Sequence, residues 1–310
     1  MPNRRTSSSP KRVLSARAKR RRKPVTPDYP DVWSIGIYTG ASPFRLYPSR
    51  KSSNPVLSPE DVSDVPAAFV ADPFMLKANG SWYMFFEVMN SRSDKGEIGL
   101  AESDDGYTWE YSQIVLDEPF HLSYPYVFEW EGDYYMVPET LAQGAVSLYI
   151  ADPFPTTWKF VRTLIDRECA DPSLFYYQNR WWLFVCTTPE QHDTLGLYFA
   201  DDLFGPWVEH PCSPVVENDE RTARPGGRVL VLDGRVIRFT QDCYPSYGSR
   251  VRAFEVSELS PTNYIDREIT ESPILKGSGK GWNRSGMHNV DSHMLHDGRW
   301  IACVDGVACQ

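Results

Sequence analysis

Nowhere in this 310-residue chain do about twenty apolar residues follow one another, the length a membrane-crossing helix needs. Residues 1–24 likewise lack the apolar run of an export leader. The six cysteines (Cys169, Cys186, Cys212, Cys243, Cys303 and Cys309) never fall in a CxxC spacing, which argues against the common zinc and redox motifs. Without a leader they are expected as reduced, mostly buried thiols, and the chain as cytoplasmic. No Gly-rich phosphate loop, Ser-His-Asp order or helical zinc motif is present, so no cofactor is expected.

Positive charge is scarce outside the N-terminus. Residues 1–30 hold ten of the 32 Lys and Arg but one of the 41 acids, so the remainder carries 22 against 40, a net of −18. An acidic body is the wrong surface for nucleic acid. It suits neutral or cationic sugars, and it also serves solubility alone. Residues 1–29 read as a disordered basic tail, with Arg20 to Lys23 suited to an anionic surface.

What the chain has in quantity is strand signal. Aromatic residues make up 14% of it, a group enriched in strands. Ala71-Asp72-Pro73-Phe74-Met75-Leu76 leads through Asn79-Gly80 to Ser81-Trp82-Tyr83-Met84-Phe85-Phe86-Glu87. Asn-Gly between apolar runs is a hairpin signal, because both turn residues tolerate positive φ. The pattern returns with Tyr124-Pro125, Glu131-Gly132 and a strand ending on Glu139, and again with Asp171-Pro172, Gln178-Asn179 and Trp181-Trp182. Looser copies hold Arg224-Pro225 with Asp233-Gly234, and Val290-Asp291 with Asp297-Gly298. Asp72, Tyr124, Asp171, Arg224 and Val290 are spaced by 52, 47, 53 and 66 residues. A self-similar unit of short strands at roughly this period is a propeller blade. The sequence therefore predicts an all-β, five-bladed β-propeller over residues 30–310.

The last unit is the weakest. The chain stops one hairpin into it, so the early strand around Trp33 to Tyr38 is expected to complete the blade and remove an open sheet edge. The proline-rich residues 49–66 are expected to wrap over the surface. The Gly-rich residues 271–287 read as a mobile loop. Acids in the turns before Trp109, Trp158 and Trp207 read as turn-stabilising groups at outer blade edges.

In a propeller the innermost strands begin near the axis, so Asp72, Tyr124, Asp171, Arg224 and the run from His288 to His293 should converge on one funnel. Polar groups gathered there need partners or a ligand. Paired carboxyls such as Asp72 and Asp171 are what glycosidic-bond cleavage uses, one taking and one giving a proton. Asp-Pro also has a structural use, Pro fixing φ and Asp capping the turn. Arg224 and Arg228 suit a phosphate or carboxylate, or an internal ion pair. His288, Asp291 and His293 include metal-ligating types. Strand alternation, however, puts His288 on the opposite face from the other two. Hydrogen bonds to a sugar are the expected use of the three, with no metal.

Ala-Asp-Pro-Phe in the first unit and Ala-Asp-Pro-Ser in the third resemble the furanosidase superfamily, the five-bladed arabinanases, β-xylosidases and invertases. Lys95-Gly-Glu-Ile-Gly-Leu-Ala101, Phe120-His-Leu-Ser-Tyr-Pro-Tyr-Val-Phe128, Ala223-Arg-Pro-Gly-Gly-Arg228 and Gln241-Asp-Cys243 resemble more closely the N-terminal domain of glucosamine inositolphosphorylceramide transferases. The superfamily resemblance implies that Asp72 is a general base and that Asp171 orients and tunes the proton donor. The hydrolases' donor glutamate would fall at Ala223, where this chain has none. Glu139, and after it Glu87, are the substitutes at the ends of second strands. Substrate contacts then fall to Tyr124, Arg224, Arg228, His288, Asp291 and His293.

Three readings follow: a funnel that cleaves or transfers a glycosyl group, a carbohydrate-binding module that has lost its donor, and a scaffold targeted by its tail. The first is preferred, with a carbohydrate or glycoconjugate as partner. Because residues 1–28 offer almost nothing to bury, deleting them is expected to leave the melting temperature unchanged in a thermal scan.

Overall fold

A computed structural model describes Met1 and residues 31–309. The tail expected over residues 1–29 lies outside the described residues, apart from Met1. The rest forms five antiparallel sheets, and four of them follow the chain. Blade one holds β3 (Ala67–Ala78), β4 (Ser81–Asn90), β5 (Lys95–Ser103) and β6 (Glu110–Leu116). Blade two holds β7 (Ser123–Trp130), β8 (Asp133–Glu139), β9 (Val146–Ala151) and β10 (Trp158–Ile165). Blade three holds β11 (Ala170–Tyr177), β12 (Arg180–Cys186), β13 (Leu195–Ala200) and β14 (Val208–Glu209). Blade four holds β15 (Leu230–Leu232), β16 (Arg235–Asp242), β17 (Arg250–Leu259) and β18 (Tyr264–Glu268), with β19 (Leu275–Lys276) added on β17.

The fifth blade joins the chain's two ends. In it β20 (Val290–Met294) and β21 (Trp300–Cys309) are completed by β1 (Asp31–Ser42) and β2 (Arg45–Pro48). β1 pairs with β21 from Asp31–Cys309 to Gly40–Trp300, as the missing strand of the last unit required. Ile35 and Ile37 pack with Met75, Phe86 and Val88 of blade one, while Tyr38 packs with Ile237 and Phe239 of blade four. One strand thus fills both seams beside the closing blade, each with alternate side chains.

The local signals behave as their chemistry demands. Asn79 and Gly80 take φ of 52° and 94°, Glu131 and Gly132 take 54° and 91°, and Asp233 and Gly234 take 51° and 75°. The outer-edge tryptophans bond back to their own turns, with Trp109, Trp158 and Trp207 donating to the carbonyls of Gly106, Pro155 and Leu203. Asp105 accepts the N–H groups of Tyr107 and Thr108, the turn role expected of it.

Residues 271–287 depart from the expected mobile loop. They contain β19 and a 3-10 turn over Gly281–Asn283, and Asn283 is buried with its amide donating to the Tyr38 hydroxyl. The Trp282 ring lies where a Cβ on Gly36 would come within 2.6 Å, and one on Gly306 within 2.7 Å. Within the stretch itself Gly286 lies close to backbone, a Cβ there falling 2.3 Å from the Gly248 carbonyl oxygen, while Gly279 and Gly281 take φ of 77° and 66°. Removing the fully buried Ile37 side chain is a test of closure. Ile37→Ala is expected to cost about 2–5 kcal/mol, read as a lower urea midpoint with an unchanged slope.

Candidate functional site

The site begins with a distortion repeated in three blades. In β3, β7 and β11 the register slips between Ala71 and Phe74, between Ser123 and Tyr126, and between Ala170 and Ser173. The bulged residues Asp72, Tyr124 and Asp171 take φ of 50°, 46° and 51°, each before a proline. A non-glycine residue in this region costs about 1–3 kcal/mol. Proline gives up no ladder hydrogen bond at a bulge.

Around Asp72 the supports come from blade five. The Asp72 N–H donates to Asp305 Oδ2 at 3.1 Å, and Asp305 Oδ1 accepts the N–H groups of His288 and Asn289 at 3.0 and 2.9 Å. His288 Nδ1 lies 2.7 Å from Asp305 Oδ2 and 3.7 Å from Asp72 Oδ1. Trp33 stacks on this imidazole at 3.9 Å, and Tyr247 meets its edge at 5.2 Å. Asp72 Oδ1 is buried and has no hydrogen-bond partner. Burial, followed by the charges of Asp171, Asp305, Glu87 and Glu139, pushes the Asp72 carboxyl well above its usual range.

Asp171 sits in the opposite kind of setting. Its Oδ2 accepts Arg224 Nε at 2.5 Å and Gln241 Nε2 at 2.8 Å. Its N–H donates to Glu139 Oε2 at 3.1 Å, which Arg224 Nη2 also reaches at 3.5 Å. Burial raises Asp171, Arg224 opposes this, Glu139 adds to it, and the result is about 7. Arg224 Nη1 also donates to the Pro189 carbonyl at 3.1 Å and to His192 Nδ1 at 2.9 Å, so this histidine's proton sits on Nε2. Glu87 has a histidine partner too. His121 Nδ1 accepts the Gly96 N–H at 2.9 Å, leaving Nε2–H facing Glu87 Oε1 at 3.2 Å.

Asp72, Asp171, Glu139, Glu87, Arg224 and His288 therefore form one buried cluster of facing charges. Tyr124 lies beneath them, fully buried, its hydroxyl against Ser173 Oγ at 2.8 Å and accepting the Gly227 N–H at 2.7 Å. Phe74 packs edge-on against it at 4.8 Å. Arg228, Asp291 and His293 form a separate group, and Arg228 and His293 line a cavity with Lys77 and Glu129. Arg228 Nε donates to Asp291 Oδ1 at 2.5 Å, and Asp291 Oδ2 also accepts the Met75 N–H at 2.6 Å and stands 3.1 Å from His293 Nε2. His288 lies ahead of β20 and meets Asp72 and Asp305, whereas Asp291 and His293, within the strand, meet Arg228 and each other.

Among the described residues, one group of metal-ligand types converges. Asp72, His288 and Asp305 each offer a ligand atom, all within 4.8 Å of one another. Asp305, Tyr247, His192 and His121 were not among the residues singled out from the sequence. Asp305 had a signal: it lies one residue past the Val290–Val304 pair, near the place that Glu87 and Glu139 take in their own second strands.

These features define a five-bladed β-propeller. A thermostable family-43 glycoside hydrolase superposes with a TM-score of 0.57 at 16% identity, over 83% of this chain and 91% of that one. An exo-β-1,3-galactanase from Clostridium thermocellum superposes at 0.54 and 13%, over 71% and 55%. At such identities the likeness is one of fold. The chain belongs to the family described as glucosamine inositolphosphorylceramide transferase 1, N-terminal, whose model matches residues 25–307. The glucosamine inositolphosphorylceramide transferase 1 of Oryza sativa subsp. japonica is 35% identical over 303 residues, covering 90% of this chain. The chain spans 40% of that relative's length.

The raised carboxyls make stability pH-dependent. An unfolded Asp ionises near pH 4, whereas folded Asp171 keeps its proton to about 7 and Asp72 is also raised. The native state then binds more protons than the unfolded chain between those values, so stability is full below about pH 4 and falls as pH rises through about 7. Asp72→Asn is expected to leave the melting temperature unchanged near pH 4 and to raise it at pH 8, by about 2–4 °C per kcal/mol relieved. Scans of both proteins at the two pH values check it.

Proposed function

We propose that the chain acts on a glycan or glycoconjugate at the Asp72 mouth, cleaving or transferring a glycosyl group. The observation that carries this is Asp72 itself. It is a buried carboxyl without a cation, with an unpartnered oxygen, held on a strained bulge beside four other acids. A group kept in so unfavourable a setting is of little use to folding, and desolvated carboxyls beside charged neighbours are how propellers and other folds alike make a proton donor.

The surroundings favour a division of labour different from the one the superfamily resemblance implies. Asp72 is the carboxyl that holds a proton, and it gives that proton to the leaving oxygen. Glu139, whose Oε2 accepts Arg224 and the Asp171 N–H, receives the proton of water or of an acceptor hydroxyl. Asp171 and Arg224 hold Glu139 in place, and His288 orients Asp72. The sugar class remains that of the family's name, an amino sugar on a lipid-linked acceptor, carried over from a relative more than twice as long. The compartment proposed is the cytoplasm, in keeping with six unpaired cysteines, of which four are buried.

A binding-only module is the second reading, and Ala223 favours it, since it is fully buried among apolar residues where the hydrolases keep their donor. Screening the purified chain against labelled oligosaccharides and nucleotide sugars separates the two. Turnover that falls by about 10²–10⁴ in both Asp72→Asn and Glu139→Gln supports the enzyme. Saturable binding without turnover supports the module.

A further inference from the structure

The far mouth of the channel is unlike the rest of the molecule. It opens as a cavity of about 390 Å³, a size within the range of small-ligand sites. On a body with a net charge of −18, its lining gathers Lys77, Arg228, His293 and His296, with Glu129 as its one acid. Asp291 beneath pairs with Arg228 and offsets its charge, so what the cavity offers is a set of fixed N–H donors with Lys77 opposite Glu129. Asp291 is fully buried, and its oxygens are taken up by Arg228, the Met75 N–H and His293. Arg228 is locked by that pair and by the Val127 carbonyl at 2.8 Å, yet 15% of its side chain stays open to the cavity. Phe128 forms an apolar wall, and Met294, 66% exposed, stands at the rim.

We propose that this mouth is a second ligand site, separate from the Asp72 mouth, and that it binds a sugar carrying a phosphate monoester. A fixed guanidinium with a lysine and two imidazoles around it offers N–H donors to the several acceptor oxygens of a phosphate. The Phe128 ring offers a flat apolar face to the C–H side of a sugar, while Glu129 at the edge accepts from a hydroxyl. The buried Tyr124 layer keeps the two mouths from sharing a ligand. Arg228, grouped from the sequence with the funnel residues, belongs to this site instead.

Isothermal titration of the full chain with glucose 6-phosphate, inorganic phosphate and glucose tests the proposal. Glucose 6-phosphate is expected to bind with a Kd of about 1 mM or tighter, inorganic phosphate at least threefold more weakly, and glucose not measurably. Lys77 and His296 are exposed, so their variants should fold. Lys77→Met and His296→Ala are each expected to weaken glucose 6-phosphate at least fivefold, while Asp72→Asn at the opposite mouth leaves it unchanged. Absence of saturable binding overturns the proposal, as does binding that Asp72→Asn abolishes and Lys77→Met spares. Equal affinity for glucose overturns the phosphate assignment, and equal affinity for inorganic phosphate overturns the sugar.

Discussion

The carboxylate of Asp305 is the interaction on which both the ring and the site depend. It lies on β21, the strand that β1 must find to close the propeller, and it accepts N–H groups from Asp72, His288 and Asn289. The first of these belongs to blade one, the others to blade five. Closure therefore brings a carboxylate from the end of the chain against the bulge that presents Asp72. Trp33, carried in by the closing strand, stacks on His288 in the same step. Backbone N–H groups satisfy this buried acid, and His288 Nδ1 stands 2.7 Å from its Oδ2. Its nearness is among the causes that raise Asp72.

The same device recurs at blade three with a different outcome. Glu139 of blade two accepts the Asp171 N–H as Asp305 accepts that of Asp72. There, however, Arg224 enters from blade four and pairs with both acids. Equivalent backbone geometry thus holds one carboxyl among like charges and the other against a guanidinium. Such environments make chemically identical groups do different work. In blade two the bulge carries a tyrosine, and the result is a plug. Fivefold repetition supplies positions, and the residue at each position decides whether it is a reactive group, a counter-charge or a filler.

Much of the fold could be read from the chain because its signals are local. Asn79-Gly80, Glu131-Gly132 and Asp233-Gly234 announce hairpins through φ alone, and the repeats announce themselves by spacing. Residues 271–287 misled because glycine has two uses, and only the folded chain shows Gly286 set against the Gly248 backbone and Gly279 and Gly281 at positive φ. The site was readable across the axis but not along it. Asp72, Asp171 and Arg224 were placed together because they begin repeats. Arg228 and Asp291 were grouped with them, although a strand advances about 3.3 Å per residue. A few residues therefore carry a side chain past the Tyr124 layer to another mouth. Asp305 went unnoticed because the weak fifth hairpin gave no register from which to count to it.

The absence of a donor glutamate at Ala223 bears on how the surviving acids divide. If Asp72 were simply a base, as the resemblance implies, it would need a setting that favours its charge. It has burial and four carboxyl neighbours, all of which oppose ionisation. A cation moved there would favour the charge of Asp72, as Arg224 favours that of Asp171. Arg224 instead lies with Asp171 and Glu139, on the opposite side of the acid cluster from Asp305. A single arginine placed asymmetrically among five carboxyls makes their surroundings unlike, with Arg224 opposing the rise that burial causes at Asp171 while burial and the acids around it raise Asp72. Unlike surroundings of this kind are what the proposed two-carboxyl chemistry would draw on.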